Sequence, residues 1–132
     1  MYLLDTNACI QFLNGTSDTL KAHFKQQIPE NIALCSIVKA ELLFGARHSQ
    51  RVETNLVRVK QFSAPLTSLV FDDRSAEEYA QIREDLSRQG KIIGSNDMLI
   101  AAIARAHDAV LVTNNTKEFS RITNLRIADW QA

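Results

Sequence analysis

Met1-Tyr2-Leu3-Leu4-Asp5-Thr6-Asn7 opens the chain and carries its clearest structural signal. The apolar residues are typical of a short buried strand, which ends abruptly at a carboxylate. The helix-like run of residues 8–13 follows at once, with Thr6 placed to cap it. Because ligands of open α/β sheets gather at the carboxyl ends of the strands, Asp5 is a candidate functional acid. The alternative is an Asp that only shapes the turn at the strand end.

The rest of the chain alternates between strand-like and helix-like segments. Such alternation predicts an α/β fold with a mostly parallel sheet of about five strands, covered by helices on both faces. Ser36 and Ser75 stand where the third and fifth helices need an N-cap, and Ser75 has the capping-box form. The predicted strands are residues 3–4, 32–35, 69–71, 109–113 and 125–130, and the predicted helices are residues 6–14, 16–27, 36–47, 50–62, 75–90 and 96–107.

Length and composition exclude several classes of protein. With 132 residues, the chain can form one domain, residues 1–132, with a proper core. An apolar share of 45% and a charged share of 23% argue against disorder. No apolar run approaches the ~20 residues of a membrane span, and the N-terminus has no signal-peptide pattern, so we expect a cytoplasmic protein. Cys9 and Cys35 lie in apolar segments, where we expect reduced core cysteines.

Glu41 is a second acid in an informative position. In the helix that starts near Ile37, the positions i, i+3, i+4 and i+7 are Ile37, Ala40, Glu41 and Phe44. A carboxylate thus shares a stripe with apolar side chains, and the pattern predicts that the stripe faces inward. A buried carboxylate needs a partner or a metal ion. The alternative is a Glu at the edge of the stripe that reaches solvent or pairs with a basic neighbour.

Two further polar positions lie at predicted element ends. Asp97 opens the most apolar helix of the chain, and Asn115 follows the fourth strand. Either could be structural, since Asp is favoured in a first helical turn and Asn in turns. If Asp5, Glu41, Asp97 and Asn115 share one cleft, the three carboxylates repel each other, and a divalent cation removes that conflict. Oxygen ligands favour Mg²⁺ or Mn²⁺ over zinc.

These motifs, taken in order, resemble the PIN-domain ribonucleases, and most closely the VapC toxins of type II toxin–antitoxin modules. The resemblance covers essentially the whole chain. It is carried by Leu3-Leu4-Asp5-Thr6-Asn7, Ala40-Glu41-Leu42 with Gly45, Ile93-Gly94-Ser95-Asn96-Asp97 running into Leu99-Ile100-Ala101-Ala102, and Leu111-Val112-Thr113-Asn114-Asn115 followed by Glu118-Phe119.

The resemblance implies a three-layer α/β/α fold and a specific set of site residues. The first three acids of the family fall on Asp5, Glu41 and Asp97. The fourth acidic position falls on Asn115, which can ligate a cation but adds no charge, so either Asn115 or Glu118 completes the site. The groups expected to support these ligands are Thr6, Asn7, Ser36 and Glu118.

The implied activity is that of a Mg²⁺-dependent endoribonuclease, with Mn²⁺ as a possible substitute. A metal-activated water would cleave RNA to leave a 5′-phosphate and a 3′-hydroxyl. The implied substrate is a tRNA, with the anticodon region of initiator tRNA as a candidate cleavage site. The implied partners are a VapB antitoxin and a second copy of the chain, for which the apolar faces of residues 16–28 and 50–62 are candidate contacts. The candidate RNA-binding residues are Lys39, Arg47, Lys91 and Lys117.

Three rival functions are consistent with parts of the sequence. A histidine ribonuclease would leave a cyclic phosphate, and His23, His48 and His107 are the available histidines. An aspartyl phosphotransferase would need a second Asp where the chain has Asn7. A non-catalytic PIN-fold module would bind or scaffold RNA without cutting it, which leaves the three retained acids without a role.

Overall fold

The computed structural model describes residues 1–132 as a parallel β-sheet with helices packed around it. The strands are β1 (Tyr2–Leu4), β2 (Ile32–Cys35), β3 (Thr67–Leu69), β4 (Val110–Val112) and β5 (Ile127–Ala128). The helices are α1 (Thr6–Asn14), α2 (Asp18–Lys25), α3 (Ser36–Arg47), α4 (Val52–Ser63), α5 (Asp73–Gln89), α6 (Ser95–Ala106) and α7 (Thr116–Phe119), and a 3₁₀ turn spans Pro29–Asn31.

The sheet has the order β3-β2-β1-β4-β5, and every neighbouring pair is parallel. β1 is therefore central, with Leu3 paired to Ala33 on one side and to Leu111 on the other. These three side chains have no exposed surface. Because strands covered on both faces are apolar throughout, the short runs of the sequence predict the three central strands correctly.

The helices bury the two faces of the sheet. α6 is the most deeply buried, with the side chains from Ile100 to Ala104 fully covered, as its nearly continuous apolar sequence predicts. On α1, α2 and α4, the rings of Phe12, Phe24 and Phe62 pack together, with centroids 4.2 to 6.0 Å apart. Much of the apolar surface of residues 16–28 and 50–62 is therefore covered within the chain.

β3 lies two residues earlier than the sequence predicts. The apolar run 69–71 suggested the strand, but Thr67–Leu69 is the segment that pairs with Ala33–Cys35. Val70 is 58% exposed. An edge strand needs only one covered face, so apolar residues mark its position poorly.

Three predicted helix caps are wrong. In two of these helices an Asp that precedes the predicted residue caps the helix, and in the third no side chain does. Asp5 caps α1 instead of Thr6, and its Oδ1 accepts a hydrogen bond from the Ala8 N–H at 2.8 Å. Asp72 caps α5 instead of Ser75, whose own N–H and hydroxyl both donate to Asp72. The residue before α3 is Cys35, and no side chain caps that helix.

The sequence did not predict two short elements, the 3₁₀ turn and α7. Each is too short to show a hydrophobic periodicity. None of the helices is long and apolar enough to span a lipid bilayer.

Candidate functional site

A cleft of about 380 Å³ opens at the carboxyl edge of the sheet, where β1 and β4 end. Its wall is mostly polar and contains two carboxylates and three amides, but no lysine or arginine. It is lined by Asp5, Thr6, Asn7, Ile10, Asp97, Asn114, Asn115 and Phe119.

Asp5 forms the floor of the cleft and is 6% exposed. Two donors hold its carboxylate, the Ala8 N–H at the start of α1 and the Thr113 hydroxyl at the end of β4. Burial nevertheless raises the pKa of Asp5, and the negative charge of Glu41 raises it further. Burial makes the ionised form of Asp5 less favourable, and a bound cation would offset that electrostatic cost.

Glu41 approaches the cleft from α3, beside Thr6. The Thr6 hydroxyl donates a hydrogen bond of 2.7 Å to Glu41 Oε1, across 35 residues of sequence. The prediction of an inward-facing stripe is wrong: α3 buries Val38, Leu42 and Ala46, whereas Phe44 is 67% exposed. The stripe that contains Glu41 and Phe44 therefore lies on the outer side of α3. Glu41 is half-buried there, beside the cleft.

Asp97 lies in the first turn of α6, half-buried in the wall of the cleft. Its burial and the negative charges of Glu118, Asp5 and Glu41, in that order, raise the pKa of Asp97 to about 6. Such mutual electrostatic effects require short separations. Asp5 and Asp97 therefore share the cleft, and Glu41 and Glu118 lie near enough for their charges to act on Asp97.

Glu118 joins the two loops that flank Asp97. One carboxylate oxygen accepts a hydrogen bond from the Gly94 N–H at 3.3 Å, and the other accepts one from the side-chain amide of Asn115. Because the amide nitrogen of Asn115 is engaged by Glu118, its carbonyl oxygen is the atom left for a ligand. The fourth acidic charge near Asp97 thus comes from Glu118, one turn beyond Asn115.

Three site residues were missed by sequence reasoning. The Thr113 hydroxyl donates to Asp5 and accepts from the Asn115 N–H at 3.0 Å. Asn114 accepts a 3.1 Å hydrogen bond from Asn7, which ties the ends of β1 and β4 together. Asp129, just beyond β5, adds negative charge near Asp5. Thr113 ends the predicted strand 109–113 and Asn114 follows it, so the end of that strand was the available signal, whereas Asp129 lies inside the predicted strand 125–130.

Other predicted site residues lie away from the cleft. Ser36 donates a 3.4 Å hydrogen bond to the Leu69 carbonyl, between β2 and β3, and Lys39 donates to Ser68 at 2.8 Å. No histidine lines the cleft. His23 stacks on Trp130, His48 stacks on Phe44, and His107 Nδ1 lies 2.9 Å from the Ile103 carbonyl.

The donor chemistry of the cleft fits a hard divalent cation. Its candidate ligands are all oxygen atoms, and none of the four acids forms an ion pair with a basic side chain. No three acidic, histidine or cysteine side chains are close enough together to form a ready-made ligand cluster. A Mg²⁺ ion usually keeps several waters and takes further oxygen atoms from its substrate, so it can be held by fewer protein ligands than such a cluster has.

Comparison with known proteins gives one consistent family. The PIN domain family model matches residues 2–125. A ribonuclease VapC2 from Rickettsia felis is 40% identical over 98% of both chains. The tRNA(fMet)-specific endonuclease VapC of Shigella flexneri is 36% identical over 98% of this chain and 97% of its own length.

Solved structures agree with the sequence relatives. VapBC2 from Rickettsia felis, bound to a DNA fragment from its promoter, superimposes with a TM-score of 0.92 at 38% identity over 98% of both chains. DNA-bound VapBC from Salmonella typhimurium also gives a TM-score of 0.92, at 36% identity over 98% of this chain and 97% of the other. The chain therefore belongs to the PIN-domain family and is a nuclease of the VapC ribonuclease type.

Proposed function

We propose that this protein is the toxin of a type II toxin–antitoxin module, a Mg²⁺-dependent endoribonuclease that cleaves tRNA in the cytoplasm. One observation carries the proposal: Asp5, Asp97 and Asn115 line one cleft that contains no basic side chain, with Glu41 held beside it by Thr6. The similarity to a relative named a tRNA(fMet)-specific endonuclease supports a tRNA as the substrate.

Asp5, Glu41, Asp97 and Glu118 would hold the cation, with the Asn115 carbonyl oxygen as a neutral ligand. When bound, Mg²⁺ or Mn²⁺ would polarise the scissile phosphate and lower the pKa of a water molecule. The side chains themselves provide position: Thr6 fixes Glu41, and Thr113 with the Ala8 N–H fixes Asp5. Water attacks the phosphorus in line and the 3′-oxygen leaves, which produces a 5′-phosphate and a 3′-hydroxyl.

A VapB antitoxin would bind the protein and block the cleft. The complexes of similar chains with VapB proteins support this partner. The surface beside the cleft is suited to a protein partner, since Ile10 is 40% exposed and Phe44 is 67% exposed on either side of Glu41. A homodimer within the toxin–antitoxin assembly belongs to the same proposal.

The test is to sequence RNA ends in cells that express either the native chain or the Asp5→Asn variant. Asn removes the charge but caps a helix as well as Asp does, so α1 remains capped, which Ala would not achieve. We expect new 5′-phosphate ends in a defined tRNA with the native chain only, together with growth arrest. Equal growth arrest by both chains, with no new RNA ends, would instead favour a PIN-fold module that binds RNA without cutting it.

A further inference from the structure

A second depression, of about 800 Å³, lies between the C-terminal end of α5 and α7. Its rim carries three basic side chains, Lys91, Lys117 and Arg121, and no acidic residue lines it. In a chain with 15 basic and 15 acidic residues, three cations without an acid on one small surface are a local excess of positive charge.

These three cations have no partner within the chain. None of their side chains takes part in a salt bridge or donates a hydrogen bond, whereas several arginines elsewhere in the chain are engaged. Arg105 pairs with Glu78 and also bonds Gln81, and Arg58 donates to the Leu13 carbonyl at 2.6 Å. Structural roles therefore account for those arginines but leave the basic depression free to bind an anion.

The basic depression and the acidic cleft lie on two faces of one short helix. Asn115 and Phe119 line the cleft, while Lys117 and Ser120 line the depression. The two sites are thus separated by roughly the width of a helix, about 10 Å. Glu118 fixes this arrangement, because its hydrogen bond to the Gly94 N–H ties α7 to the loop that carries Lys91.

The opposite flank of the cleft has a different character. β2 and β4 lie on either side of β1, and the helix after β2 presents Ile37, Ala40 and Phe44 beside Glu41. An apolar surface offers nothing to a phosphate group. A polyanion seated in the cleft would therefore meet an apolar patch on this flank and a group of three cations on the α7 side.

We infer that the basic depression holds backbone phosphates of the RNA strand next to the cleavage point, so that the strand crosses α7 on its way out of the cleft. This inference rests on the proposed ribonuclease activity. Phosphate contacts position a strand without reading its sequence. The expected role of these three cations is to strengthen RNA binding and to position the strand. Other contacts determine which RNA sequence is bound.

The test compares two triple variants with the native chain. One replaces Lys91, Lys117 and Arg121 by Gln. The control replaces Lys25, Lys60 and Arg74 by Gln; these residues are exposed, form no salt bridge or side-chain hydrogen bond, and do not line the basic depression. Binding of a fluorescent single-stranded oligoribonucleotide is measured in EDTA over a range of salt concentrations. Since each phosphate contact contributes about 0.7 to the slope of log K against log salt, we expect the slope to fall by about 2 in the first variant only.

The control variant and the single variant Lys117→Gln keep the result interpretable. Thermal unfolding is compared for all chains, and Lys117→Gln alone should lower the slope by about 0.7. With Mg²⁺ present, the first triple variant should raise the KM for RNA and leave kcat nearly unchanged. An unchanged slope in a variant that still folds would overturn the inference. If the native chain neither binds nor cleaves RNA, the proposed function itself fails, which is a different outcome.

Discussion

At the scale of single residues, three of the four acids around the cleft are held by hydrogen-bond donors. Thr6 holds Glu41, Thr113 and the Ala8 N–H hold Asp5, and the Gly94 N–H holds Glu118. Preorganised acids lose little freedom when a cation arrives, so these donors should matter as much for activity as for folding.

The hydroxyl of Thr6 can be tested by a pair of substitutions. Thr6→Val keeps the shape of the side chain but leaves Glu41 without its donor, while Thr6→Ser keeps the hydroxyl. A hydrogen bond to a charged group contributes about 1.5–3 kcal/mol, so Thr6→Val should lower kcat/KM by about 10- to 100-fold. Thr6→Ser should stay close to the native value. Equal activity of both variants would show that this hydrogen bond does not position Glu41.

Asp97 should destabilise the metal-free protein at neutral pH. Its pKa is raised from 3.8 to about 6 in the folded chain. The free energy of unfolding therefore falls as the pH rises from 3.8 to about 6, and it is not reduced by this group at lower pH. We expect Asp97→Asn to raise the free energy of unfolding by about 1–2 kcal/mol above pH ~7, a value reduced from the full shift because the side chain is half-exposed.

The measurement for Asp97 is chemical denaturation in EDTA at two pH values. The gain from Asp97→Asn should nearly disappear near pH ~3, below the unfolded pKa of 3.8, where the native side chain is mostly protonated in both states. Added Mg²⁺ should stabilise the native chain more than the variant, since a ligand stabilises the state that binds it. A gain that does not change with pH would contradict the electrostatic origin.

At the scale of helices and strands, sequence patterns succeed where an element is buried on all sides. β1, β2 and α6 are continuous in apolar residues and lie where predicted. Sequence patterns fail where a neighbouring strand determines the structure. The strand β3 begins two residues earlier than predicted, because its bounds depend on pairing with β2. Periodicity also misassigned the buried face of α3, because Phe44 of the apolar stripe is 67% exposed while Val38, Leu42 and Ala46 are buried.

Two glycines give a matched test of helix geometry. Gly90 ends α5 with φ +66°, whereas Gly45 lies inside α3, and a Cβ would have free space at either position. Gly90→Ala should lower the free energy of unfolding by about 1 kcal/mol, because a side chain is strained at positive φ. Gly45→Ala should raise it by about 0.5–1 kcal/mol, since Ala favours the helix interior. Urea denaturation distinguishes the two signs, and destabilisation by both variants would refute the explanation.

At the scale of the whole molecule, a parallel sheet brings distant parts of the chain to one edge. Asp5 follows β1 and Asn115 follows β4. The first turn of α6 adds Asp97 to the same cleft. The sequence alone predicted this convergence from strand ends, and it identified the family from the same residues. It could not reveal Thr113 or the bridge from Glu118 to Gly94, because these depend on which strands are neighbours and on a loop whose path has no periodic signal.

The central claim is that these acids form one cation-dependent cleft that cuts RNA. Its most direct test is to incubate the purified chain with tRNA and to determine the chemistry of the new ends, with Mg²⁺ and with excess EDTA. We predict 5′-phosphate and 3′-hydroxyl ends that require Mg²⁺ and are lost in Asp5→Asn. Cleavage that persists in EDTA and leaves cyclic phosphate ends would contradict it.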